Sequence, residues 1–155
     1  ARVSVSPGFV AAPRQWPASV SVIDPRGFKD ALASADVAVV GGGVTLYEAA
    51  ALGVPAVAMA VVPAQRLTVD AFARAGIADD GGDLPPRGPL ARARAQRIAK
   101  LVAGLLSDPR RRRAMSRAGR RAIDGRGVSR VQRAIERRYA AAGAWRRGAK
   151  ERQDG

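Results

Sequence analysis

"DVAVVGGGVTLYEAAALGVPAVAMAVV", Asp36 to Val62, is the stretch that decides the fold. It opens on the compact apolar run "DVAVV", passes through Gly41, Gly42 and Gly43, and continues as "VTLYEAAALG" before "PAVAMAVV". Short apolar runs bounded by turn residues read as strands buried on both faces. The segment between them has helical composition and ends at Gly53, a helix C-terminal signal, just before Pro55. Strand, glycine turn, helix and strand in this order predict a parallel pair joined by a right-handed crossover.

Working outward, the same rhythm repeats. "RVSVSPG" alternates Val3 and Val5 before the Pro7-Gly8 stop, and "SVSVIDP" does so with Val20, Val22 and Ile23 before Pro25; both read as strands. "FVAAPRQWPA" between them is rich in breakers and reads as a loop. "RGFKDALASA" places Phe28, Ala31, Leu32 and Ala35 on one helical face. Downstream, "AQRLTVDAFARAG" is expected as a helix with Leu67, Val69, Phe72 and Ala73 inward and Gly76 at its end. The predicted class is α/β, a Rossmann-like parallel sheet with flanking helices, followed by a basic helical segment.

"GGDLPPRGP", Gly81 to Pro89, cannot be helix or central strand and reads as a linker. Beyond it, Ile98, Leu101, Val102, Leu105 and Leu106 form one apolar stripe, ended by Asp108-Pro109. A second helix carries Met115, Ala118, Ala122 and Ile123, and after Gly125 and Gly127 a third carries Val128, Val131, Ile135 and Tyr139. The expected organisation is one domain over 1–140: an α/β body over 1–82, a linker over 83–89 and packing helices over 90–140. Residues 141–155 follow as a frayed basic tail.

The chain has 155 residues, enough for one ordinary domain. Hydrophobic residues make up 47% but aromatics 5%, so the core is built from Val, Ala, Leu and Ile. Neither a membrane span nor a secretory signal is legible. The absence of cysteine and histidine removes disulfides, thiolate metal sites and imidazole catalysis. The net charge of +14 is uneven: residues 1–90 hold 7 basic and 8 acidic side chains, and residues 91–155 hold the other 20 and 5. The body is therefore near neutral and the helical end strongly basic. Only Lys29, Lys100 and Lys150 among the 27 basic residues are lysine, a bias that base composition of the genome also produces.

Ligands of parallel α/β sheets bind beyond the carboxyl ends of the strands. Gly41, Gly42 and Gly43 occupy such a place. Without Cβ atoms they admit a ligand to the backbone and permit positive φ, and the helix start beyond them offers unpaired N–H groups to a phosphate. Glu48 has two readings. "TLYE" fits a capping box, with Thr45 as N-cap and Glu48 reaching back to its N–H; alternatively both serve a ligand. The turn matches neither the G-x-G-x-x-G fingerprint nor a P-loop.

The wider segment from "ADVAVV" to "FARAG" resembles the C-terminal nucleotide-binding domain of the GT-B superfamily. It is most similar to the nucleotide-sugar hydrolase of pseudaminic acid biosynthesis and the related spore-coat polysaccharide proteins, and also to the lipid II N-acetylglucosaminyltransferase. The elements that carry the likeness are "AD" before a buried strand, the small-residue turn, Thr-x-x-Glu, "ALGVP", a following Gln, and the helical end "LLSDPRRRRAMSRAGRRAIDGRG". The resemblance implies that Gly42, Gly43, Val44 and Thr45 bind the diphosphate of a nucleotide-sugar, with UDP-sugar favoured. It implies that Glu48 accepts from ribose hydroxyls, that Gln65 contacts phosphate or sugar, and that the loop at Arg26, Gly27 and Phe28 packs on the base. Pro25 has no N–H to read a base edge, which leaves the base open.

In that superfamily the acceptor site and usually the catalytic base lie in an N-terminal domain, which this chain is expected to need in cis or trans. By itself it is expected to bind without turnover. Catalytic residues are unassigned, neither a metal nor a cofactor is implied, and the transferase and hydrolase readings both stand. The implied setting is cytoplasmic, with peripheral contact to the inner membrane face through the basic helices. The competing reading is a basic nucleic-acid-binding or scaffolding protein with a structural α/β body. "RRRR", Arg110 to Arg113, is its main support, but no stacking platform accompanies it, so nucleic acid is disfavoured. Asp79, Asp80 and Asp83 read as a solvated turn, Asp24 as a turn residue, and Tyr47 as a packing residue.

Overall fold

The computed structural model describes residues 2–6, 16–84 and 89–141. They fall into two compact units, Ala1–Ala122 and Ile123–Gly155. The first contains β1 (Val3–Val5), β2 (Val20–Val22), a 3-10 turn at Pro25–Gly27, α1 (Phe28–Ala33), β3 (Ala38–Gly41), α2 (Val44–Leu52) and β4 (Ala56–Ala60). A 3-10 turn at Pro63–Gln65, α3 (Arg66–Arg74), β5 (Ala78–Asp83), α4 (Pro89–Ser107) and α5 (Pro109–Ala122) complete it. The second unit holds α6 (Gly127–Ala141).

All strand pairs among the described residues are parallel. β1 pairs β2 with Val3 opposite Val20, and the other sheet runs β3-β4-β5 with Ala38 opposite Ala56 and Ala56 opposite Ala78. Parallel strands with intervening helices are the Rossmann-like α/β arrangement that the alternation of patterns predicts. The loop read over "FVAAPRQWPA" lies mostly outside the described residues.

β4 is central, and its Ala56, Val57, Ala58 and Ala60 are buried. Small residues there let helices approach both faces. α2 buries Leu46, Ala49 and Ala50 and stops at Gly53, whose φ of 72° and N–H bonds back to Ala49 and Ala50 close the helix in the left-handed region. On the other side, Val57, Leu105 and Met115 form a core cluster with Val37, Ile98, Leu101 and Val102 against it.

Three expectations need correction. β3 is less buried than its composition predicts: Ala38 is enclosed but Val39 is 46% exposed, because β3 is an edge strand paired with β4 alone among the described residues. Leu67 and Leu106 point outward. Leu67 lies two residues from Val69, which puts it on the opposite side of α3, and Leu106 sits one step round from the buried Leu105. Gly81 and Gly82, read as the start of the linker, belong to β5. That strand holds a bulge: Ala58 pairs with Asp80 and Met59 with Gly82, so Gly81 is the extra residue. Gly82 has φ 86° and donates its N–H to Asp80 Oδ1 at 2.7 Å. Positions 85–88 of the expected linker lie outside the described residues.

In the second unit, the predicted third helix forms as α6, with Val128, Val131, Ile135 and Tyr139 all exposed. Asp124 accepts from the Arg126 N–H at 3.1 Å and pairs with the Arg130 guanidinium, which anchors the helix start. Residues 142–155, read as a frayed tail, lie outside the described residues. No helix among the described residues is long and apolar enough to cross a membrane.

Candidate functional site

The glycine turn leads from β3 into α2. Gly42 extends the ladder by one bond, its N–H reaching Met59 O at 2.7 Å, and Gly43 caps α2 with φ −97° and ψ −154°. None of Gly41, Gly42 and Gly43 has positive φ, so that part of the expected rationale is wrong. Room is what requires glycine. A Cβ on Gly42 would lie 2.6 Å from Val69 Cγ2 and 3.1 Å from Gln65 O, and one on Gly41 would lie 3.0 Å from Val61 Cγ2. Absence of side chains lets the start of α3 pack onto the turn.

Because Gly43 is the N-cap, Thr45 is the second residue of the helix and Glu48 the fifth. A capping box needs these side chains at the cap and third positions, so it does not form. The Glu48 carboxylate is exposed and has no hydrogen bond among the described residues. The Leu46 N–H turns back to Gly43 O at 3.1 Å, whereas those of Gly43, Val44 and Thr45 find no acceptor among the described residues. Helix starts leave such donors free, and with the helix dipole they suit an anion.

Gln65 comes to the same place from the next crossover. Its Oε1 accepts from the Val61 N–H at 2.9 Å, closing the 3-10 turn over Pro63–Gln65. That bond fixes the orientation of the amide and directs Nε2 toward the glycine turn, 3.3 Å from the point a Gly43 Cβ would occupy. The site residues Gly42, Gly43, Val44, Thr45 and Gln65 are thus brought together, with Glu48 one turn further along α2. Tyr47 packs as expected, its ring edge-on to Phe72 with centroids 4.9 Å apart.

The loop at Arg26, Gly27 and Phe28 is self-contained. The Arg26 N–H donates to Asp24 Oδ1 at 2.8 Å, the Gly27 N–H to Asp24 O at 2.9 Å and the Phe28 N–H to Pro25 O. Asp24 is a turn residue, as expected. A base docking here would meet carbonyls, the Arg26 side chain and the half-buried Phe28 ring, since all three N–H groups are spent.

The acidic run on β5 is not a solvated turn. Arg66, the first residue of α3, binds Asp70 Oδ1 at 2.7 Å, Asp80 Oδ1 at 2.9 Å and Asp83 Oδ1 at 3.3 Å. These bonds, that to Asp80 foremost, hold the guanidinium pKa above its ordinary value. For Asp80, burial pushes the pKa up, but Arg66, the Gly82 N–H and Arg97 outweigh it and hold the carboxyl below the usual range. Its neighbour Asp79 goes the other way. Burial raises it, opposed by Arg111 at 2.5 Å, and its Oδ2 is buried without a partner among the described residues.

The arginine run is also partly internal. Arg111 holds Asp79, and Arg112 donates to Leu105 O and Leu106 O at 2.8 and 2.6 Å, closing the end of α4. Arg120 does the same for α2 through Leu52 O at 2.7 Å. Sequence reasoning missed the roles of Arg66 and Arg120. The i,i+4 pair of Arg66 and Asp70 was readable, but the partners on β5 and at Leu52 depend on the tertiary fold.

With this geometry in place, one likeness bears on its meaning. The chain is similar to the spore coat polysaccharide biosynthesis protein SpsG of Bacillus subtilis (strain 168). Identity is 32% over 107 residues, which is 68% of this chain and 29% of SpsG. The match therefore spans less than a third of SpsG's own length. It agrees with the spore-coat polysaccharide likeness carried by the motifs of the α/β body. No family model matches the chain, and no solved structure matches it.

Proposed function

We propose that the chain is a nucleotide-sugar-binding domain serving cell-surface polysaccharide or glycoconjugate biosynthesis. The carrying observation is the convergence of the free N–H groups of Gly43, Val44 and Thr45 with the amide of Gln65 at one helix start. Those donors suit a diphosphate, and the dipole of α2 adds to their pull. Glu48 accepts from the vicinal hydroxyls of the ribose, which a carboxylate does with two oxygens at once. UDP-sugar is the favoured ligand, and the loop at Arg26, Gly27 and Phe28 packs on its base. The likeness to SpsG supports the biosynthetic setting.

Bond cleavage at the anomeric carbon leaves negative charge on the departing diphosphate, and the same donors stabilise it as it develops. Transfer or hydrolysis needs a further GT-B domain, in cis or trans, to bring the acceptor and the base.

Titration calorimetry with UDP, CMP and GDP tests this reading. We expect one nucleotide, UDP first, to bind and Glu48→Ala to weaken it. No binding to any of the three, together with salt-sensitive binding to DNA, overturns the proposal in favour of a nucleic-acid role.

A further inference from the structure

The first turn of α3 is held from two sides. Gln65 and Val69, four residues apart, face the glycine turn and leave no room for a Cβ on Gly42. Arg66 and Asp70 are also four apart, one step round the helix, and face β5 instead. There the Arg66 guanidinium spreads over three carboxylates: Nε and Nη2 reach Asp70, Nη2 also reaches Asp80, and Nη1 reaches Asp83. A planar fork with several fixed donors can grip three acceptors in one geometry, whereas a lysine ammonium is a single point of charge. Arg66 is 27% exposed and Asp80 36%, so their bond is less weakened by water than that of a fully exposed pair, whereas Asp83, 70% exposed, adds less.

Gln65 precedes Arg66 directly, and its amide is aimed by the bond to Val61 within the same turn. Any drift of the α3 start away from β5 and β3 carries that amide off the glycine turn. We propose that Arg66 is a positioning residue for the candidate site: by fastening the first turn of α3 to Asp80 and Asp83, it holds the Gln65 amide against the start of α2. It touches no ligand itself. The inference rests on the nucleotide-binding reading for its functional meaning, and on the two-sided clamp for its geometry.

The test follows the Val61 backbone amide and the Gln65 side-chain amide by 15N NMR in the full chain, alongside UDP calorimetry. In Arg66→Met we expect the Val61 amide to exchange faster by about tenfold, the Gln65 side-chain resonances to move, and UDP affinity to fall about tenfold. Arg66→Lys should restore part of each. Asp83→Asn, which loosens one exposed contact only, should shift the same resonances in the same direction and serves if Arg66→Met does not fold. Unchanged Val61 and Gln65 signals in a folded variant overturn the proposal, whether affinity falls or not, since a loss without them means direct ligand contact. If the wild type binds none of UDP, CMP and GDP, the nucleotide reading fails while the Val61 signal still decides the clamp.

Discussion

Gly119 of α5 lies against Ala50 of α2 so closely that a Cβ on Gly119 would sit 2.8 Å from the Ala50 carbonyl oxygen and 3.1 Å from its Cα. The next residue, Arg120, holds the Leu52 carbonyl at the end of α2. α5 therefore fixes the helix whose other end forms the candidate site. Gly119→Ala gains roughly 1 kcal/mol of helix propensity, yet the obstruction is backbone and cannot swing aside. We expect overpacking to win and stability to fall by about 1–3 kcal/mol, read as a lower midpoint in thermal denaturation. A midpoint at or above that of the wild type would mean that α5 is not seated on α2.

Gly42 and Gly43 should respond differently to the same change. Gly42→Ala meets Val69 Cγ2 at 2.6 Å and Gln65 O at 3.1 Å, both fixed by packing, so a loss of about 1–3 kcal/mol is expected. Gly43→Ala meets only the Gln65 amide nitrogen, at 3.3 Å, a side-chain group and not backbone, so a shift of a few tenths of an ångström accommodates it, in a backbone conformation open to alanine. It should cost under about 0.5 kcal/mol while displacing the Gln65 amide and weakening UDP binding. Denaturation and calorimetry on the two variants separate space-filling from ligand contact.

Adjacent carboxylates on β5 should give opposite pH signatures. The Asp80 pKa is depressed in the fold, so its contribution is present above the ordinary value near 3.8 and is lost as pH falls through the lower folded value. The Asp79 pKa is raised, so its contribution is greatest below 3.8 and is lost as pH climbs through the higher folded value. Asp79→Asn should therefore raise the melting midpoint at pH 7 relative to wild type, an advantage that shrinks toward pH 3. Asp80→Asn should lower it at pH 7, and that deficit should shrink only at more acid pH. Melting curves from pH 7 down to about 2 distinguish the two: an Asp79→Asn curve parallel to that of the wild type would contradict the first assignment, and an Asp80→Asn deficit already gone near 3.8 the second.

Much of the body was readable because its apolar runs and helix stops agree with one another. "PAVAMAVV" is a central strand, Gly53 adopts the left-handed conformation its position before Pro55 suggests, and Val69 and Phe72 face inward. β5 was not readable. "ADDGGD" has almost no strand propensity, and it is held as a strand by β4 and by arginines from α3 and α5, none of which is local. At the site, the glycines and Gln65 were legible as a group, but the reason for glycine was not. Steric demand from Val69 is a contact across the fold, and it replaces the conformational argument that three glycines in a row invite. Likewise Thr45 lies two residues past the cap at Gly43, and a shift of that size at a helix start is beyond pattern reading.

Gly82 carries the strain of the bulge. At φ 86° with Arg94 Nη1 only 1.9 Å from where a Cβ would stand, Gly82→Ala should cost about 1–3 kcal/mol. It should also release the Arg94 bond to Gly81 O. Denaturant titration measures the first, and an unchanged midpoint would argue against the bulge.

The bulge has an arithmetical consequence. Side chains along a strand take alternate sides, odd and even, so Asp80 and Asp83 belong to opposite parities and should never meet one cation. One surplus residue at Gly81 resets the count, and Asp83 rejoins Asp80 within reach of Arg66. Were Gly81 paired in the ladder like its neighbours, the parity would revert: Asp83 would turn toward the side where Asp79 meets Arg111, leaving Arg66 one carboxylate short. The grip on the start of α3 is thus written in the register of a different strand.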